Sequence, residues 1–590
     1  PAGVGELARR AQAGAEAVRR LAQDGLLCVR EIEIEPPPLP VAELPTARPE
    51  TLTDAQREAV AWIGERLARG TFHQAVLFGV TGSGKTEVYL RAAERALAAG
   101  RPVIFLVPEI GLTPQVARAL SARFGEAVSV LHSGMNDRQR FRAWRRARDG
   151  EARIVVGARS AIFAPVERPG LIVVDEEHDA GYKQEESPRY HARDLALIRG
   201  REAGAVVVYG SATPSIECWS RAGRAVAALL ELPERVGEGR LPEVEVVDMR
   251  REFRETKSDD PLSRRLTGLL GETLARGEQA IVLLNRRGYT RALVCRACGE
   301  AVSCGDCSVP MTWHKVGGKL RCHYCAASRP RPESGPACGS EYLADIGSGT
   351  QQIEELVAER LDGARVLRLD RDAARSPARL AETLGRFARG EADVLVGTQM
   401  VAKGHHFPRV TLVGVLSADA GLWLPDFRAA ERTFALLMQV AGRAGRGERP
   451  GRVVVQALKP EHPAIASALA HDYRGFAERE WRARRALRYP PAAAMAVLLV
   501  RDEDQMRAFE RAGVLRRAIH DAGEGHVAVI GPAVAPLARL RGEWRVQLIV
   551  RALKRRRLAL ALRAGLGRLL GESRVMPRWL SVDVDPVQVM

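Results

Sequence analysis

The chain has 590 residues, 27% of them charged and 46% hydrophobic, which is ordinary for a globular protein but too long for one core, so three or four domains are expected. Its formal charge of +17, from 89 Lys and Arg against 72 Asp and Glu, favours a polyanionic partner, because each neutralised phosphate releases counterions. No signal peptide or bilayer-length apolar run is visible, and the stretch "RLALALRAGLGRLLG" is amphipathic and broken by Arg, so it reads as a docked helix.

Residues 1–35 read as a helix, "GELARRAQAGAEAVRRLAQDG", and a strand, "LLCVREIEIE". Residues 36–49, "PPPLPVAELPTARP", carry six prolines and form a stiff linker that marks a domain boundary. From about residue 51, short apolar runs alternate with helical stretches: "QAVLFGV", "PVIFLVPE", "ARIVVGA", "LIVVDEE" and "AVVVYGSA". A second series follows: "QAIVLLNRR", "RVLRLD", "DVLVGTQ", "VTLVGVL" and "GRVVVQAL". Continuous apolar strands between helices predict parallel sheets covered on both faces. The chain is therefore expected to be α/β, with parallel-sheet lobes over 50–232 and 233–460, a cysteine-rich insertion over 292–342, and a mixed α+β segment over 461–590.

"GVTGSGKT" fits the pattern G-x-x-x-x-G-K-[ST] between a strand and a helix. The loop, with Gly79, Gly82, Ser83 and Gly84, is suited to wrap backbone N–H groups around phosphates. Lys85 would reach the outer phosphates of ATP, and Thr86 would offer its hydroxyl to Mg²⁺. "LIVVDEEH" ends a buried strand in carboxylates. Asp175 is the candidate to hold Mg²⁺ through water, and Glu176 the candidate to orient or deprotonate the attacking water. Far downstream, "QVAGRAGR" places Arg443 and Arg446 on a Gly-containing turn. They are candidates to stabilise charge on the transferring phosphate when two lobes close; alone, each would read as a charged surface turn.

Seven of the nine cysteines lie between residues 295 and 338. Cys295–Cys298, Cys304–Cys307 and Cys322–Cys325 are C-x-x-C pairs, and two such pairs make one structural Zn²⁺ site. Three pairs plus Cys338 require more than one ion. Cys28 and Cys218 stand alone in apolar surroundings and read as small buried hydrophobes.

Taken together, the P-loop, "DEEH", "GSATPS", "GTQMVAKG" and "QVAGRAGR" follow the order of a superfamily-2 helicase. Longer stretches are more specific. "LVPEIGLTPQ", "DEEHDAGYKQEESPRYHARD", "LLNRRGY", "KGHHFP" and "PDFRAAERTFALLMQVAGRAGR" closely resemble the PriA family of bacterial replication-restart helicases (primosomal protein N′), from about residue 50 onward. The resemblance implies two RecA-like lobes and a 3′-to-5′ DNA helicase driven by ATP. Such an enzyme binds stalled or recombined forks, unwinds the lagging-strand arm and initiates primosome assembly. It also implies forked and single-stranded DNA, primosome proteins, a helicase loader and single-strand-binding protein as partners, a monomer, and a cytoplasmic, nucleoid-associated location. A DNA-dependent ATPase or fork-binding scaffold that recruits loaders without productive unwinding is the alternative.

By the same resemblance, Gln56 reads adenine and Thr213 couples ATP state to lobe movement. Arg159, Ser160, Thr398 and Gln399 contact single-stranded DNA. Tyr182, Lys183, Arg189, Tyr190 and His191 are suited to sensing a bound strand. The family pattern pairs the inner cysteines, Cys304, Cys307, Cys322 and Cys325, on one zinc. It leaves Cys295, Cys298 and Cys338 one ligand short, because Gly335 stands where a cysteine is expected. Another group (Glu333, His314 or His323) or water completes that site, or the ion is held weakly, or that half folds without metal; one tight and one weak zinc is the expectation. Residues 1–35 resemble the last helix and wing of a winged-helix domain.

Overall fold

The computed structural model describes residues 11, 13–27, 49–108, 113–132, 135–236, 242–285, 292–307, 309–314, 318–335, 337–345, 350–369, 377–398, 401, 407–442, 451–571 and 576–589. The chain divides into a unit over Pro1–Ala47 and a unit over Arg48–Met590. In the first, a helix spans Ala15–Gln23. The linker prolines other than Pro49 and most of the strand expected after that helix lie outside the described residues, as does Cys28.

The second unit opens with a helix at Asp54–Arg69. Thr53 and Gln56 start it reciprocally: the Thr53 side chain accepts from Gln56 N–H, and the Gln56 side chain accepts from Thr53 N–H. Seven strands follow: β1 (His73–Gly79), β2 (Val103–Leu106), β3 (Val128–Leu131), β4 (Ile154–Gly157), β5 (Leu171–Asp175), β6 (Val206–Ser211) and β7 (Ala228–Leu232). They form one sheet in the order β3-β4-β2-β5-β6-β1-β7, and every pairing is parallel. Alternate residues enter different cores: Leu77, Phe105, Val156 and Val173 share one, while Val76, Ile104, Val155 and Ile172 share another. Both faces are therefore covered, which is why these strands read as unbroken apolar runs.

A second sheet begins with β8 (Glu243–Asp248) and β9 (Gln279–Leu284). The chain then leaves it for five short strands, β10 (Leu293–Cys295), β11 (Thr312–His314), β12 (Lys319–Arg321), β13 (Ser328–Pro330) and β14 (Leu343–Asp345). Antiparallel β10 and β14 close this insertion at its base. The chain returns through β15 (Val366–Leu369), β16 (Val394–Gly397), β17 (Val410–Leu416) and β18 (Arg452–Ala457). The six-stranded order is β15-β16-β9-β17-β18-β8, again all parallel and again with one core on each face.

Last comes an antiparallel sheet of β19 (Ala494–Asp502), β20 (Val527–Leu540), β21 (Glu543–Ala552) and β22 (Leu580–Val584), ordered β20-β21-β19-β22. Helices Gln505–Ala522 and Arg555–Leu570 pack on it through one apolar core. The expected architecture of two RecA-like lobes, an inserted cysteine-rich module and an α+β C-terminal part is what the chain folds into. Among the described residues, no helix is long and apolar enough to cross a membrane.

Candidate active site and metal centre

β1 delivers its last residue, Gly79, to the P-loop, and helix Lys85–Ala98 begins where the loop ends. Gly84 occupies the N-cap with φ of 76°, left-handed backbone that suits glycine. Lys85 Nζ lies back across the loop and donates to Gly79 O at 2.8 Å and Val80 O at 3.4 Å. Ser83 Oγ is buried with no protein partner. Gln56, already committed to capping its helix, also donates from Nε2 to Ser83 O at 2.9 Å. The loop is thus pinned from outside, while Ser83 keeps a buried hydroxyl that a ligand there could satisfy.

Asp175 ends β5, and β6 separates it from β1. Tyr89, on the helix after the P-loop, donates to Asp175 Oδ1 at 3.0 Å. The hydroxyl crosses β6 over Gly210, where any Cβ would overlap the phenol. Sequence reasoning missed Tyr89; a buried aromatic on an amphipathic helix carries no signal of this role. Burial, then the neighbouring Glu176 carboxylate, pushes the Asp175 pKa up to about 6. Glu176 has a left-handed φ of 46°, strain of the kind that collects where chemistry is done.

The rest of "DEEH" connects parts. His178 Nδ1 lies 2.7 Å from Ser211 Oγ, and its Nε2 lies 3.0 Å from Gln439 Nε2. One assignment satisfies both: the Gln439 amide donates to Nε2, and Nδ1–H donates to Ser211. Ser211 in turn accepts from Thr213 N–H at 2.9 Å. A single imidazole therefore joins the acidic motif to "GSATPS" and to the helix Ala429–Ala441 of the second sheet. Glu177 is fully buried and does not face the P-loop. It accepts from Ser215 N–H at 2.5 Å, Ser215 Oγ at 2.9 Å and Arg193 at 3.1 Å, and Cys218 Sγ lies 3.1 Å away. Cys218 is buried as expected, and burial, then the Glu177 charge, raises its pKa so that it stays a thiol. Glu177→Ala would strand the Arg193 guanidinium inside the core. Denaturant unfolding should show a loss of about 3–5 kcal/mol; a change under 1 kcal/mol would mean that water replaces the carboxylate.

The two sheets meet around this network. Arg428 lies 2.6 Å from Glu217, Ile216 N–H donates to Glu431 Oε1 at 3.0 Å, and Tyr473 OH donates to Pro214 O at 2.6 Å. At the end of helix Ala429–Ala441, a Cβ on Gly442 would fall 2.8 Å from Thr81 Cγ2 of the P-loop. The helix end thus abuts the phosphate loop. Arg443 and Arg446, the next candidates, lie outside the described residues, as does Gln399.

Arg159, Ser160 and Thr398 stand beyond the C-terminal ends of β4 and β16, with Ser160 exposed. The aromatic segment after "DEEH" divides in two. Tyr182 is buried, its hydroxyl 2.6 Å from Asp175 O and 3.0 Å from Leu106 O. Lys183 Nζ is 2.7 Å from Asp583 Oδ1 and donates to Val584 O at 2.9 Å. His191 caps helix Ala192–Ala203, and burial, then Arg193, pushes its pKa down to about 3. These three are inward anchors. Arg189 and Tyr190 stay partly exposed, with Tyr190 edge-on to the exposed Phe163 at 5.0 Å.

In the insertion, the Sγ atoms of Cys304, Cys307, Cys322 and Cys325 lie within 4.8 Å of one another, with Cys304 and Cys325 3.7 Å apart. Tetrahedral zinc with Zn–S bonds of about 2.3 Å needs thiolates about 3.8 Å apart, so the set fits one ion. Its core is shared with the C-terminal sheet: Leu320, Cys322 and Tyr324 cluster with Tyr489, Met495 and Ile549. His323 Nδ1 is 2.8 Å from Val534 O, and Gln547 donates to His323 O at 2.7 Å. Cys295, Cys298 and Cys338 form a second group within 4.8 Å.

Four family models match in succession: DEAD/DEAH box helicase over 53–219, the PriA DNA helicase Cys-rich region domain over 304–330, helicase conserved C-terminal domain over 346–448, and the primosomal protein N C-terminal domain over 485–587. The replication restart protein PriA of Bacillus subtilis is 41% identical over 585 residues, covering 99% of this chain and 72% of the relative. That of Treponema pallidum is 42% identical over 539 residues, covering 91% and 80%. That of Synechocystis is 38% identical over 599 residues, covering 99% and 70%.

Proposed function

From the premise that this chain belongs to the replication restart protein PriA family and is an ATP-dependent DNA helicase, we propose that it moves 3′ to 5′ on DNA at stalled or recombined forks, unwinds the lagging-strand arm and starts primosome assembly. The P-loop from Gly79 to Thr86 binds the phosphates of ATP, with Lys85 on the outer ones and Gln56 holding the loop where adenine is read. Asp175 and Thr86 are the groups to hold Mg²⁺, which when bound neutralises charge on the phosphates. Glu176 orients the attacking water. Arg443 and Arg446 enter from the second lobe. The observation that supports this reading is the approach of Gly442 to Thr81, which brings the end of helix Ala429–Ala441 against the phosphate loop.

The lobes take 50–232 and 233–460, with a zinc-binding insertion at 292–342 and a C-terminal domain at 461–590. Residues 1–35 are the end of a winged-helix domain, joined by the linker 36–49. The insertion holds one tight Zn²⁺ on its four inner cysteines and a weaker one on the outer three. Partners are forked and single-stranded DNA, a helicase loader, other primosome proteins and single-strand-binding protein. The enzyme works as a monomer in the cytoplasm, at the nucleoid.

The test is ATP-dependent unwinding of a model fork with a lagging-strand duplex. Strand separation is expected; strong DNA-stimulated hydrolysis without it would overturn the unwinding role and leave a translocating remodeller. The raised Asp175 pKa gives a second expectation. A carboxyl with pKa near 6 keeps its proton below that pH and offers a charged oxygen to a cation only above it. Hydrolysis should therefore fall as pH drops through about 6, by about tenfold per unit. A rate flat down to pH 5, measured at limiting Mg²⁺ so that the cation does not itself displace the proton, would contradict this.

A further inference from the structure

We propose that Val236, in the connection from β7 to β8, is a specificity-determining residue of the nucleotide site. Its exposed side chain packs on the face of the ATP base and so selects a base-bearing triphosphate over a bare one. The inference deepens, and rests on, the reading of Gly79–Thr86 as the phosphate loop and of Gln56 as the place where adenine is read. Val236 falls between the two helicase matches, over 53–219 and 346–448, so neither assigns it a role.

The main chain brings Val236 to the loop. β7 pairs with β1, and the segment that follows β7 lies along the residues that follow β1. Val80 N–H donates to Leu232 O at 3.2 Å, and Val236 N–H donates to Gly82 O at 2.9 Å. Between them, Arg235 Nε donates to Thr81 O at 2.9 Å. The Arg235 side chain lies over Gly82, its Nε 3.6 Å from where a Cβ would stand. Val80, Thr81 and Gly82 are therefore each tied to one short segment, and the position of Val236 is set by the phosphate loop itself.

The side chain then meets Gln56. A Cβ on Gly84 would fall 2.3 Å from Gln56 Nε2 and 3.2 Å from Val236 Cγ2. Val236 and Gln56 thus flank the same glycine, immediately before the helix that opens with Lys85 and Thr86. Their surroundings differ. Gln56 is only 4% exposed and holds Ser83 O, whereas Val236 is 56% exposed. Lone apolar side chains on a surface are ordinary. This one is fixed by its own main chain at the rim of a phosphate site, beside the residue that reads the base.

A purine has a polar edge and two apolar faces, and the two demand different partners. An amide, which carries both donor and acceptor, suits the edge. A face calls for an apolar group that is already stiff, and a β-branched valine has little rotamer freedom to lose. Covering Val236 with the base removes apolar surface of both from water. The contact lies away from the reacting phosphate, so it strengthens ground state and transition state equally and is read in KM rather than kcat.

The experiment uses the full chain, with saturating single-stranded DNA, and two ligands that share the triphosphate but not the base. One is ATP; the other is inorganic tripolyphosphate, added as a competitive inhibitor of ATP hydrolysis. Val236→Ser should raise KM for ATP about tenfold, the loss expected for one apolar side chain of this size. It should move kcat and the tripolyphosphate inhibition constant by less than about twofold. Val236→Ile keeps the apolar face and should stay near wild type in all three. Arg235→Ala releases Thr81 O and should weaken ATP and tripolyphosphate by the same factor, because it acts on the loop they share. An unchanged KM in Val236→Ser would overturn the proposal. An equal loss of tripolyphosphate in that variant would also overturn it, by making Val236 a support of the loop. Gln56→Ala tests the underlying reading separately: the preference for ATP over GTP should shrink, and a preference left intact would overturn the placing of adenine itself.

Discussion

Lys85→Ala is expected to lower ATP hydrolysis by at least about 10²–10³-fold and to leave affinity for forked DNA within about twofold. The first half follows from position. Lys85 begins the helix after the P-loop and lays its ammonium over the loop carbonyls of Gly79 and Val80, where it can transfer to phosphate oxygens as charge develops on them. Alanine at a helix start costs the fold little, so the loss is one of chemistry. The second half follows from the sheet order. The loop after β1 and the DNA candidates after β4 are separated by β2, β5 and β6. Four strand spacings of about 4.8 Å put them roughly 19 Å apart. That exceeds the Debye length of about 8 Å at physiological salt, so losing one charge at the loop is hardly felt by the strand. Hydrolysis assays with and without DNA, beside anisotropy of a labelled fork, measure both. A tenfold loss of fork affinity would mean that ATP and DNA contacts are not separable in this way. Persistence of loader recruitment by the inactive variant would show a scaffold function alongside the motor.

Cys322→Ser should have the other large effect. It removes one of four converging thiols from the inner cluster, and structural zinc contributes on the order of 10 kcal/mol to folding of such modules, against about 1 kcal/mol for an average substitution. The insertion is expected to lose its inner ion and melt. The damage should spread one step, because Leu320, Cys322 and Tyr324 share a core with Met495 and Ile549. It should stop there, since the two parallel sheets have their own cores. Metal analysis should show an ion lost, limited proteolysis should cut between β10 and β14, and unwinding should fall far more than hydrolysis. An insertion that stays resistant to protease with its zinc gone would show that packing on the C-terminal sheet suffices to hold it.

The parallel sheets were legible because strands buried on both faces are apolar at every position. Their edges were less so. β3, β7 and β8 were not among the expected strands, and all three are edge strands with partly exposed residues. Exposure on one side dilutes the apolar run that signals a buried strand. The P-loop and Asp175 could be found because phosphate chemistry demands particular residues at fixed spacing. Glu177 continues the acidic run of Asp175 and Glu176, and sequence shows a cluster of charges but not which way each points. Tyr89, His178 and Lys183 depend on partners 86, 261 and 401 residues away, separations at which no local pattern survives.

Lys183 draws on the far end of the chain chiefly through main-chain oxygens: Val584 O at 2.9 Å and Asp585 O at 3.3 Å, beside the Asp583 carboxylate. Arg432, on the second lobe, reaches Val587 O in the same manner. Contacts of this type are blind to side-chain identity. The tail is therefore free to drift at Val584 and Val587 so long as its path is kept, whereas Lys183 and Arg432 must stay long, cationic donors. Mutational tolerance across this junction should be lopsided, strict on the motor side and lax on the tail.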